Sequence, residues 1–258
     1  MSGYLKTATE AALESGKIFS KFFGHATGIR EKKHEKRNLV TDSDLAIEKT
    51  IRAHIAQAFP SHHILGEEFG GLPKISKGQF IWLVDPIDGT NNFAQGIPLA
   101  CISIGLWDYK GPVASVVYNP ITGALYTAER HKGARLNGKP ISVSGVKDPM
   151  ESLGSVGWTR SNSKKDRAKL FRVGVEKFAK ARALGSTTLQ MCFVADAKMD
   201  FYFGIGMYIW DIAAATLIIT EAGGKVTDIR GKPLTLSARS VIASNGKLHN
   251  YIIKNLRG

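Results

Sequence analysis

A mixed α and β chain, divided into two stretches of different character, is what this sequence predicts. Three observations carry that reading. Apolar residues recur at helical spacing over the first sixty positions, and short apolar runs separated by turn-forming residues follow them. Beyond residue 150, helix-like and strand-like stretches alternate. A polar interval from Ser142 to Met150, interrupted by Gly145 and Pro149, separates the two styles, dividing the chain into residues 1–144 and 145–258.

Taken in order, Leu5, Ala8, Ala12, Phe19 and Phe23 fall on one helical face, so a first helix should end near Gly24. Arg30 to Arg37 is too charged for a strand and reads as a loop or hairpin. Thr41 with Asp44 has the form of a capping box for a helix from Leu45 to Phe59, which Pro60 closes. His62 to Leu65 is a short strand running into Gly66, Glu67 and Glu68. Neither His62 nor His63 has a partner at zinc spacing, so both are read as structural.

Phe80 to Val84 is the next buried strand, with Asp85 at its end. Pro86 forces a turn, Asp88 follows, and Gly89 with Thr90 opens a short helix whose N–H groups suit an anion. Two carboxylates beside an anion site would repel phosphate unless cations lay between them, and Asp oxygens at this spacing suit hard cations such as Mg²⁺. Cys101–Trp107, Pro112–Tyr118 and Leu125–Glu129 then read as strands of an antiparallel sheet, with a further tight turn from Gly133 to Gly138.

The second stretch opens on a strand, Ser155–Trp158. From Arg160 to Arg182 nine basic residues meet only Asp166 and Glu176, and Leu170, Val173 and Phe178 give that helix an apolar side. Gly185, Ser186, Thr187 and Thr188 lead into a helix from Leu189 to Ala197. A strand, Met199–Phe203, follows. Asp211 opens a helix so apolar on every side that it should be buried. Strands around Val226 and Val241 and a helix from Leu248 to Leu256 close the chain.

Composition narrows the function classes. The chain of 258 residues is 43% hydrophobic and 22% charged, as ordinary globular proteins are. Its longest uncharged run, Gly89 to Trp107, carries Asn91, Asn92, Gln95 and Pro98, unlike a membrane span. Lys6 and Glu10 stand where a signal peptide needs an apolar core, so a cytoplasmic protein with two free, buried thiols (Cys101, Cys192) is expected. A net charge of +13 would draw in anionic substrates and leaves unspecific nucleic-acid binding open.

The string Asp85-Pro-Ile-Asp-Gly-Thr-Asn-Asn-Phe93, followed by Gly96-Ile-Pro and an apolar strand, resembles the first signature of the inositol monophosphatase family. Trp210-Asp211 with Glu221-Ala-Gly-Gly224 resembles the second, and the similarity runs from about Lys6 to Ile252. The resemblance implies an N-terminal α+β half and a C-terminal α/β half in a layered helix–sheet–helix–sheet–helix sandwich, with the site between them. It also implies a homodimer inhibited by Li⁺. Two or three Mg²⁺ ions would be held by Glu67, Asp85, the Ile87 carbonyl, Asp88 and Asp211. Asp44, rather than Asp42, would orient the attacking water with Thr90 and Glu67. Asp88, Gly89, Thr90, Gly185, Ser186, Thr187 and Asp211 would contact substrate, and Lys33 is the lysine that aligns with a loop near the active site.

The implied activity is hydrolysis of a small phosphate monoester, inositol 1-phosphate or a similar sugar phosphate. One departure bears on the substrate. Many relatives that cleave inositol phosphate carry a Glu seven residues before the Asp of the Trp-Asp pair, and here that position is Gly204. Fructose 1,6-bisphosphate and nucleotide 2′- or 3′-phosphates are therefore alternatives. An RNA- or transcription-complex-binding module is the alternative of another class, whereas a zinc hydrolase lacks any His or Cys cluster.

Overall fold

A computed structural model describes residues 1–26, 30–31, 39–40, 42–70, 75–159 and 161–257. Its elements are α1 (Gly3–Phe22), β1 (Arg30–Glu31), β2 (Leu39–Val40), α2 (Asp42–Ala58), β3 (His63–Gly66), β4 (Phe80–Asp88), α3 (Thr90–Ala94), β5 (Cys101–Asp108), β6 (Gly111–Asn119), β7 (Ala124–Glu129), β8 (Ala134–Leu136) and β9 (Lys139–Pro140). A single 3₁₀ turn, Pro149–Glu151, leads into β10 (Leu153–Trp158), α4 (Lys164–Lys177), β11 (Lys180–Arg182), α5 (Thr187–Ala195), β12 (Phe201–Ile205), α6 (Ile209–Glu221), β13 (Lys225–Thr227), β14 (Ser240–Ser244) and α7 (His249–Arg257).

These elements stack in five layers. Seven strands in the order β3-β4-β5-β6-β7-β8-β9 form the first sheet, antiparallel except where β3 lies parallel to β4. Five strands in the order β11-β10-β12-β14-β13 form the second, in which β10 is parallel to both β11 and β12. Helices α1 and α2 cover the outside of the first sheet, α5 and α6 lie between the sheets, and α4 and α7 cover the second. The layered sandwich implied by the family resemblance is thus the architecture found.

Burial explains the order of layers. Helix α6 is apolar all round, from Ile209 and Ile212 to Ile219, and only a position with a sheet on either side hides every face. It shares the central core cluster with Leu83, Cys101, Val117, Tyr202 and Ala243. Helix α1 buries Ala8, Ala12 and Phe19 against Ile102, Ile104 and Val116. Helix α4 buries Leu170, Val173 and Gly174 and keeps Lys164, Lys165 and Arg172 in water, as its one-sided pattern predicts.

His62 is a packing residue: its ring stacks on Phe59 and Phe80, and its Nδ1 accepts from Trp82 Nε1 at 3.1 Å. Both cysteines are free and buried. Among the described residues no helix is long and apolar enough to cross a membrane.

Several expected boundaries shift, each for a local reason. Strand β4 does not stop at Asp85 but runs to Asp88, through a bulge between Asp85 and Asp88 that accommodates Pro86. Helix α6 begins two residues before Asp211, and α5 begins at Thr187 because Ser186 caps it, its Oγ accepting from Leu189 N at 3.3 Å. The expected strand from Met199 lies at Phe201–Ile205, and the turn expected from Gly133 to Gly138 contains the short strand β8. Thr41 and Lys33 lie outside the described residues.

Candidate active site

The DPIDGT segment ends in a backbone that only glycine permits. Gly89 has φ of 91°, and a Cβ there would come within 2.9 Å of the Leu99 carbonyl and 3.1 Å of Ser186 Cβ. This turn aims Asp88 at the start of α5. One Asp88 oxygen accepts from Thr187 N at 3.1 Å, and the other accepts from Thr188 N at 2.7 Å and from Ser186 Oγ at 2.5 Å. Cys101 Sγ points at the same carboxylate, at 3.8 Å. Burial pushes the Asp88 carboxyl up, and the hydrogen bonds from Ser186, Thr188 and Thr187 pull against that shift.

Asp85, also buried, turns Oδ1 back to accept from Ile87 N at 3.0 Å, which fixes the chain across Pro86. Thr90 donates its hydroxyl to the Ile87 carbonyl at 3.0 Å. Asp211 Oδ2 accepts from Tyr208 N at 2.8 Å, and Thr188 Oγ1 donates to the Asp211 carbonyl at 2.7 Å, so α5 and α6 are tied together beside the site.

A cavity of about 400 Å³ opens over these groups. Glu67, Asp85, Ile87, Asp88, Gly89, Thr90, Gly185, Thr187 and Asp211 all line it, so the structure brings together nine of the residues singled out in the sequence. Two others are placed differently. Ser186 is buried and does not line the cavity; it stands behind Asp88, as hydrogen-bond donor and helix cap together. Asp44 is fully buried in the first turn of α2, whereas Asp42 is exposed.

Two further residues that support the site went unread in the sequence. Glu48, fully buried on α2, accepts from Glu68 N at 2.9 Å through one oxygen and from Arg52 Nε at 2.8 Å through the other. It presses so closely on Gly66 that a Cβ there would meet Glu48 Oε1 at 1.9 Å. Glycine before the two glutamates is therefore a steric requirement of the strand that delivers Glu67. Asn92 donates through Nδ2 to the carbonyls of Leu99 and Leu184, at 2.8 and 2.7 Å, joining the DPIDGTNNF segment to the Gly185 loop. Its place within a turn-rich string was the only signal available.

Among the described residues no three acidic, histidine or cysteine side chains are gathered tightly enough to hold one ion between them. The donor set nevertheless fits Mg²⁺, which takes one or two carboxylates and completes its shell with water and phosphate oxygens. The four carboxylates that line this cavity offer hard oxygen and nothing softer.

The family's sequence profile matches residues 1–258. This chain belongs to the inositol monophosphatase family. It is 39% identical to inositol monophosphatase 2 of Solanum lycopersicum, over 99% of this chain and 98% of that one. It is 32% identical to the Nus factor SuhB of Pseudomonas aeruginosa, over 100% and 97%. Among solved structures, the Thermotoga maritima IMPase superposes with a TM-score of 0.89 at 30% identity, covering 99% of this chain and 97% of that one. The inositol monophosphatase homologues are phosphoric monoester hydrolases, and Mg²⁺ dependence with Li⁺ sensitivity is general to the family.

Proposed function

We propose that this family member hydrolyses a small phosphate monoester with Mg²⁺ as its cofactor and water as the nucleophile. The observation that supports this most is the meeting of Glu67, Asp85, Asp88 and Asp211, from three separate stretches, at one cavity. When bound there, Mg²⁺ would neutralise phosphate charge and lower the pKa of water. Glu67, Asp85, Asp88, Asp211 and the Ile87 carbonyl are the proposed ligands. The chain's own work is to place the groups around the phosphate. Thr90, whose hydroxyl hydrogen goes to the Ile87 carbonyl, keeps oxygen lone pairs for the attacking water, and Glu67 stands ready to take its proton. Asp44, buried in the first turn of α2, is a positioning residue in this scheme. Gly89, Thr90, Gly185 and Thr187 contact substrate.

Phosphate release with Mg²⁺, measured across inositol 1-phosphate, fructose 1,6-bisphosphate, NADP⁺ and 3′-phosphoadenosine 5′-phosphate, tests the reading. Turnover of at least one, reduced roughly thousandfold or more in a folded Asp88→Asn variant and abolished by chelation, is the expected result. A second reading is favoured by the Nus factor relative and by the exposed bases of α4: a binding module acting on RNA or a transcription complex. Salt-dependent retention on RNA by a protein silent toward the whole panel would decide for it.

A further inference from the structure

Away from its four carboxylates, the cavity changes character. The other described side chains that line it include Val156, Trp158, Ala183, Met207 and Tyr208, and none of them carries a charge. Two of its polar side chains are already engaged. Gln190 donates from Nε2 to the Ser186 carbonyl at 2.7 Å and accepts from Leu184 N at 3.1 Å. The Thr187 hydroxyl faces Tyr202 OH at 3.1 Å and Met207 Sδ at 3.2 Å. A polyol would ask this wall for several hydrogen bonds, and a group left unmatched on desolvation weighs against binding.

No acidic side chain can be restored at Gly204 by simple substitution. A Cβ there would meet Tyr202 OH at 2.6 Å, Met207 Cε at 3.0 Å and the Gly157 carbonyl at 3.1 Å. The buried Tyr202 ring occupies that space, so the absence of a carboxylate is built into the packing.

What the wall offers in its place is an aromatic surface. Trp158 ends β10, and Tyr208 follows β12, its parallel neighbour, in which Ile205 pairs with Trp158. Trp158 therefore stands at the carboxyl end of its strand and Tyr208 just beyond that of its parallel neighbour, where open α/β sheets receive ligands. Tyr208 is immobilised: Trp210 stacks on it with centroids 4.7 Å apart and planes 4° apart, and the Arg239 guanidinium lies 4.0 Å from its centroid. Trp158 lines the cavity and also a second groove shared with Lys164, Arg167 and Phe171, whose ring meets it edge-on at 6.2 Å and 89°. It stands as a partition, braced from behind.

We propose that Trp158 is the platform of a specificity subsite, and that the preferred substrate is a phosphate monoester whose leaving group carries a flat, uncharged aromatic or heterocyclic ring rather than a polyol. The ring lies on the Trp158 face and meets Tyr208 at its edge, an arrangement aromatic pairs favour. This assignment rests on the hydrolase reading and deepens it.

The test compares benzyl phosphate and adenosine 3′-phosphate with inositol 1-phosphate and glycerol 2-phosphate, all alkyl esters, so that leaving-group reactivity is similar. The wild type should show kcat/KM at least about tenfold higher for the ring-bearing pair. Trp158→Ala should raise KM for that pair about tenfold with kcat changed less than about twofold, collapsing the preference, and Trp158→Phe should restore most of it. A wild type that prefers the polyol esters overturns the proposal while leaving the hydrolase reading intact. So does a Trp158→Ala variant whose KM rises equally for both classes, or a Phe variant no better than Ala. Silence toward all four esters and toward the earlier panel, in Mg²⁺-loaded protein, defeats the hydrolase reading and the subsite with it.

Discussion

The two ends of the cavity are held in opposite ways. At the carboxylate end, backbone and short polar side chains fix nearly everything: Asp88 takes three donors from the start of α5, Asp85 and Asp211 each accept a backbone N–H, and Gly89 cannot be replaced without a clash. At the other end, bulky side chains are held through ring contacts, Phe171 against Trp158 and Trp210 with Arg239 against Tyr208. Hydrogen-bonded glycine turns tolerate almost no change of residue, whereas a wall of packed rings can be resculpted one side chain at a time. A reaction shared by a family and a substrate particular to one member can thus occupy the same 400 Å³.

Ser186 gives the sharpest way to break this comparison. Sequence resemblance makes it a substrate contact, so its loss would alter preference; the structure places it behind Asp88 instead. Ser186→Ala should lower kcat/KM by roughly tenfold or more for every substrate alike, and destabilise α5 by about 1 kcal/mol through loss of the cap. Steady-state kinetics on two unlike esters checks the first, and a denaturant midpoint the second. A change confined to one ester would return Ser186 to the substrate side.

Glu48→Gln should act next. The amide keeps an oxygen for Glu68 N but loses the charged pairing with Arg52, so the turn carrying Glu67 loosens. A several-fold rise in the Mg²⁺ concentration for half-maximal rate is expected, with the ratio between substrates unmoved. Glu48→Ala, which leaves Arg52 half-buried without its partner, should in addition cost about 2–3 kcal/mol of stability.

The smallest effect on the site should come from a group remote from both ends. His249 is fully buried between Thr227 Oγ1 and Ser244 Oγ, each at 2.9 Å. Burial, helped by nearby Lys225, lowers its pKa to about 4. The unfolded chain therefore takes up this proton first as pH falls below about 6.5, while the folded chain resists until about 4. Stability present above pH 6.5 should drain away across that window, by about 3 kcal/mol from this group, with no slope from it below pH 4. Denaturant midpoints between pH 7 and 4 measure this, and His249→Gln should flatten the curve without changing substrate preference.

Much of this was legible in the sequence because periodicity and turn chemistry are local. The apolar faces of α1 and α6, the polar face of α4 and the antiparallel run of β5 to β7 follow from spacing alone. The two signature strings hold three of the four carboxylates that line one cavity, and the fourth, Glu67, follows the strand that ends at Gly66. What was hidden depends on contacts between distant residues. Nothing near Ser186 reveals that it faces a carboxylate 98 positions away, and nothing near Glu48 tells that it underpins a turn 20 positions on. The aromatic wall was missed for the same reason: Trp158 and Tyr208 become neighbours only through the pairing of β10 with β12.

Asp88 belongs to the first sheet, yet its three N–H and O–H donors belong to the start of α5 in the helix layer between the sheets, and Asn92 reaches across to Leu184 in the same way. The reactive centre is thus a seam rather than a pit in one body. If the chain were cut between β9 and β10 and expressed as two pieces, each would own some of the carboxylates and neither would hold them in place. Phosphate release would return only on reassociation, which turns the catalytic rate into a gauge of how firmly the two sheets are docked.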